Sequence, residues 1–170
     1  STQGVSSAAS DVYKRQKSYV FMFITSLFVF TSSLSAATID SNAHKQTVTN
    51  YIEEINQIQK QIFTLTQKIA FLTTPSDEIY ITELNFINNQ LDNVTQSMLS
   101  YYESLPDLCA EKLNVLVLFN STNLIHCSLI KLNELNNSNS NIEKMTILQT
   151  YCAFHVEVNN ILNIVSNLVS

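Results

Sequence analysis

From residue 48 onward, apolar side chains recur at alternating steps of three and four. Up to Leu72 they fall at Val48, Tyr51, Ile55, Ile58, Ile62, Leu65, Ile69 and Leu72. Beyond Thr74-Pro75-Ser76 they resume at Tyr80, Leu84, Ile87, Leu91, Val94, Met98, Tyr101 and Leu105. This spacing lays one stripe down one side of an α-helix. A hairpin folded about Pro75 pairs residues whose numbers sum to about 150. Ile62 then faces Ile87 and Leu91, and Ile55 faces Val94 and Met98, so the two stripes meet along their length.

The second half carries the same period less regularly. Leu105-Pro106-Asp107 breaks the chain before a third helix. Two stripes compete on that helix. One runs Leu108, Val115, Leu118, Ile125, Leu129 and Leu132, and the other Leu113, Val117, Leu124 and Cys127. Its segment Leu113–Phe119 is apolar nearly all round apart from Asn114, which predicts a helix covered on two sides. A β-strand is the competing reading of that run, and the helical flanks disfavour it. Asn136–Asn141 reads as a loop, and a last stripe follows at Ile147, Tyr151, Phe154, Val158, Ile161, Val165 and Leu168.

Helices are therefore expected over about 43–72, 77–104, 107–135 and 142–168. The expected fold is all-α, an up-down-up-down antiparallel four-helix bundle made of two long helical hairpins, within one domain over 38–170. Pairing of the hairpins between chains, as a homodimer, is the alternative that strict heptads leave open.

The residues before that domain read differently. Ser6–Gln16, SSAASDVYKRQ, back-translates codon for codon into the adapter of transposase-based sequencing libraries. Residues 1–16 are therefore expected not to be native. Residues 17–37 read as a signal peptide, with positive Lys17, an apolar core over Tyr19–Phe30, and small Ser35-Ala36-Ala37 before a cleavage point. The uncharged run Tyr19–Leu34 falls short of the roughly 20 residues that span a bilayer, which disfavours a retained anchor. The mature protein is expected to be secreted, with no membrane partner after cleavage.

Composition narrows the function classes. Residues 38–170 hold six Lys, no Arg and thirteen Asp or Glu, a formal charge of 6 − 13 = −7. Nucleic acid and anionic membrane surfaces call for a basic face, so neither is expected as a partner. Gly4 is the only glycine and lies in the adapter-like segment. Without glycine the domain has no phosphate-cradling loop and no nucleophile elbow, and no zinc-protease motif is present.

The cysteines are Cys109, Cys127 and Cys152. Cys109 and Cys127 share one helix about 27 Å apart and cannot pair there. Residues facing across the Asn136–Asn141 loop have numbers summing to about 277, which sets Cys127 level with Cys152. A Cys127–Cys152 disulfide is expected, closing a loop of about 25 residues and contributing about 3 kcal/mol. The first of the two stripes points Cys127 outward and the second turns it inward. Cys109 remains as a buried free thiol or an interchain thiol.

Four residues nearby, His126, Cys127, Cys152 and His155, are the best candidates for a metal site, since two thiolates and two imidazoles suit zinc. Adjacency of His126 and Cys127, about 100° apart on a helix, argues against one ion, and the disulfide is preferred. Glu53-Glu54 reads as a solvated face and Asp77-Glu78 as a complement to a helix start, not as catalytic pairs. N-glycosylation acceptors occur at Asn93, Asn120 and Asn136. Phe63, Phe71, Tyr101, Tyr102, Phe119, Tyr151 and Phe154 fill a core or line an apolar cavity.

The expectation is a secreted, non-enzymatic helical bundle without catalytic residues or cofactors, acting as a protein-interaction or effector module. The alternative is a carrier of a small apolar ligand in the bundle core.

Overall fold

The structure, a computed structural model, describes residues 40–71, 77–107 and 109–170, with the backbone alone at 71 and 77–79. The adapter-like segment, the signal segment, Leu72, the break at Pro75 and Leu108 lie outside the described residues. Four helices form a helical bundle, with no strand among the described residues. They are α1 (Ser41–Phe71), α2 (Asp77–Ser104), α3 (Ala110–Asn137) and α4 (Asn141–Leu168).

Helix limits follow local chemistry that apolar spacing does not register. Helix α1 starts at Ser41, ahead of the expected residue 43, because the Asp40 carboxylate accepts the free backbone N–H groups of Asn42 at 3.0 Å and Ala43 at 3.3 Å. The expected loop 136–141 contracts to 138–140. Ser140 takes extended backbone before α4 and its Oγ accepts from the N–H of Glu143 at 3.4 Å. The Glu143 carboxylate in turn accepts from the Ser138 hydroxyl at 2.7 Å, so one acid secures both sides of the turn. Between α2 and α3, Lys112 Nζ lies 2.7 Å from Asp107 and 4.9 Å from the centre of the Tyr102 ring.

Every described member of the α1 stripe, Val48 through Ile69, is buried. On α2, Tyr80, Ile87, Leu91, Val94, Met98 and Leu105 are buried, and Leu84 and Tyr101 pack partly against the same core. On α3 the first of the two stripes turns inward: Val115, Leu118, Ile125, Leu129 and Leu132 are buried. The expected cover on α3 is incomplete, since Leu116 stays exposed on its outer side while Leu113, Val117 and Phe119 are half-buried. By length and composition alone α3 is long and apolar enough to cross a bilayer, a test that the core helix of a bundle also passes. The α4 stripe departs at two positions, with Phe154 half-buried and Leu168 exposed, and Leu162 buried as well.

Small polar residues sit among the buried positions of α3. Ser121, Thr122 and Ser128 are buried on α3, and each hydroxyl donates to a carbonyl of its own helix, those of Leu118, Phe119 and Leu124. Their hydrogen bonds are thus satisfied without bulk or a partner helix. Helices α3 and α4 are the closest-packed pair. Helices α1 and α3 also meet, α2 and α4 do not, and of the pairs that meet α1 with α4 is the most open.

Candidate functional site

The chemistry expected around the cysteines is dispersed by the phase of α3 and α4. Cys127 and Cys152 are separate thiols, Cys127 half-buried and Cys152 exposed, so the expected bond between them is not present. With Val115, Leu118 and Ile125 turned to the core, Cys127 falls on the flank of α3. On α4 the core position is taken by Tyr151, and Cys152 is carried about 100° round to solvent. His126 is exposed, and His155 is half-buried against two aromatic rings. Among the described residues no three His, Cys, Asp or Glu side chains gather to hold a metal ion, so the His126, Cys127, Cys152 and His155 alternative is not assembled. Cys109 is a buried free thiol at the N-cap of α3, on extended backbone.

The acceptor asparagines also separate. Asn93 and Asn120 are exposed in the middle of α2 and α3. Asn136 lies not in a loop but half-buried in the last turn of α3. Glu53 and Glu54 are exposed on α1. The aromatic residues do not converge on one hollow. Tyr102 meets Phe119 edge-on at 6.3 Å between α2 and α3, Tyr101 meets Tyr51 and His44 between α1 and α2, and Phe63 meets His155 between α1 and α4.

Two arrangements were not read from the sequence. At one end of α1, His44 is buried at 5% exposure, with Nδ1 2.8 Å from the Tyr101 hydroxyl and Nε2 3.2 Å from Asn114 Nδ2. Burial lowers the His44 pKa and the Glu111 carboxylate partly offsets this. His44 stands four residues before Val48, one step upstream of the first stripe, and that spacing was the available signal.

The second arrangement is a hollow of about 430 Å³ between α1 and α4, lined by Asn56, Gln59, Lys60, Phe63, Thr64, His155 and Asn159. Gln59 is 5% exposed, donates from Nε2 to Asn159 Oδ1 at 3.3 Å, and leaves its Oε1 without a partner. Beneath lies a small cavity of about 10 Å³, also bounded by Gln59 and His155, with Ile62, Ile125, Ser128, Tyr151 and Val158. Burial raises the Tyr151 pKa, against a smaller opposing effect of the Thr66 hydroxyl, so the phenol stays neutral.

A third feature is the outer edge of α4. Ile142, Met145, Cys152 and Val156 are exposed at heptad positions on the side opposite the buried Ile147, Tyr151 and Val158. Ile142 reaches 82% exposure. No protein-family model matches the chain, and no curated protein or solved structure is similar to it.

Proposed function

We propose that the chain is a secreted, non-enzymatic interaction module whose outer α4 edge docks a partner protein. One observation carries this reading: Ile142, Met145, Cys152 and Val156, interrupted by exposed Gln149, form an uncharged, largely apolar line at heptad spacing, facing away from the bundle's own core. A helix needs one apolar face to join its bundle, and a second apolar line facing water has no structural use in the monomer. The line matches helix-in-groove or helix-against-helix recognition, in which anchors recur at steps of three and four.

The arrangement proposed is up-down-up-down, with consecutive helices antiparallel. It is supported by ties in which residue numbers rise on one helix as they fall on the next. Tyr51 reaches Ser97 and Lys68 reaches Glu83 between α1 and α2, and Phe63 meets His155 while Lys45 meets Ser170 between α1 and α4. Removal of residues 17–37 as a signal peptide and glycans at exposed Asn93 and Asn120 complete this reading. A carrier of an apolar ligand in the core is the second reading; the pocket bounded by Ile62, Ile125, Tyr151 and Val158 holds about 10 Å³, room for one water at most.

A photo-crosslinking side chain at position 145, compared with one at exposed Asp92 on α2, tests the docking face. Discrete adducts in the secretions of the source are expected from position 145 alone. Equal labelling from both positions contradicts the reading.

A further inference from the structure

The hollow between α1 and α4 has a composition that neither core packing nor a solvated surface accounts for. Phe63 is 47% exposed, and its ring lies nearly parallel to that of His155, at 26° and 6.4 Å between centres. The His155 ring stacks in turn on buried Tyr151, at 24° and 6.2 Å. The ladder Tyr151–His155–Phe63 thus runs from core to surface and ends on a ring with an uncovered side. Around that ring stand three amide side chains, Asn56, Gln59 and Asn159. Among them the buried Gln59 Oε1 has no hydrogen-bond partner. Lys60 adds a cation that forms no ion pair among the described residues.

We infer that the α1–α4 groove binds a small planar heteroaromatic anion, with its ring on Phe63 and His155, its polar edge on the Asn56, Gln59 and Asn159 amides, and its negative group at Lys60. Each part of the lining selects for this class. Amide side chains match paired donors and acceptors on a heteroaromatic edge, as Asn and Gln do with adenine. Aromatic and imidazole rings stack on planar π-systems of many kinds. In a chain with net negative charge, a lysine free of carboxylate partners is the residue that retains an anion. The volume of about 430 Å³ falls in the range of small-molecule sites, roughly 300–1,000 Å³. Of the helix pairs that meet, α1 and α4 pack least closely, which leaves room for the groove.

The test is a titration of the full bundle with four probes, followed by amide shifts in its nitrogen-15 NMR spectrum. The probes are adenosine 5′-monophosphate, indole-3-acetate, adenosine and ribose 5-phosphate. Both planar anions are expected to bind saturably and to move the amides of residues 56–64 and 155–159. Ribose 5-phosphate, an anion without the ring, is expected not to. Lys60→Gln should weaken the planar anions by about two- to fivefold and leave adenosine unchanged. Phe63→Ala should weaken every planar probe by about fivefold or more. Both side chains are exposed, so neither change threatens the fold, and unchanged helix content by circular dichroism verifies this. Failure of both planar anions to saturate, shifts centred on other helices, or binding indifferent to both substitutions overturns the proposal.

Discussion

His44 Nδ1 lies 2.8 Å from the Tyr101 hydroxyl, and the two rings stack at 22° across 57 residues of sequence. The other ring nitrogen decides the protonation. Asn114 Nδ2 is only a donor, so Nε2 at 3.2 Å must accept, and Nδ1 then carries the proton and donates to Tyr101. One neutral imidazole thereby ties α1, α2 and α3 together. Charging it removes the acceptor that Asn114 uses.

Stability should therefore fall on mild acidification. The folded-state pKa of His44 is lowered by burial, so the unfolded chain binds the proton more readily. This contribution is complete above the unfolded value of about 6.5 and is lost as pH falls below it, until the lower folded pKa is reached, at no more than about 1.4 kcal/mol per pH unit. Urea midpoints at pH 7.5 and pH 5 measure it. His44→Gln should flatten the dependence, and equal slopes in both proteins contradict the assignment.

Core and outer-edge truncations should separate cleanly. Leu118→Ala and Ile55→Ala remove fully buried side chains and should each cost about 2–5 kcal/mol in denaturant unfolding. Ile142→Ala, on the outer edge of α4, should stay within about 0.5 kcal/mol of the parent.

Thiol reactivity should rank by burial. Under native conditions a maleimide should label Cys152 first and Cys127 more slowly, and Cys109 only after unfolding. Mass spectrometry of the labelled protein reads this order. Two unreactive cysteines with a loss of two hydrogens would restore the Cys127–Cys152 bond.

Glycans, where a eukaryotic secretory host offers them, should appear at Asn93 and Asn120, whose side chains face solvent. Asn136, half-buried in the last turn of α3, should carry less. Glycopeptide mapping compares the three positions.

The sequence-based reading succeeds where one face is apolar and the opposite face is not. That holds for the α1 stripe, whose described members are all buried. It weakens on α4, where Ile161 and Leu162 are adjacent and both buried, so that spacing alone gives no unique phase. Leu168 fits the period but is exposed, while Val169 beside it packs partly against the core. Polar core positions escape an apolar pattern altogether. Ser121 and Ser128 are buried because their hydroxyls bond within α3, and their seven-residue spacing was the only trace of it. The groove was illegible for a related reason. Gln59 and Phe63 belong to α1 and His155 to α4, and their juxtaposition depends on how far apart two non-consecutive helices stand.

In the single-chain bundle α1 lies against both α2 and α4. The direct measurement is an isotope-filtered nuclear Overhauser experiment on a one-to-one mixture of labelled and unlabelled protein. Contacts between His44 and Tyr101 and between Phe63 and His155 are predicted to appear only within one labelled chain. The same contacts arising between labelled and unlabelled chains would show that the helices pair across a dimer, and would contradict the single-chain bundle and the groove drawn from it.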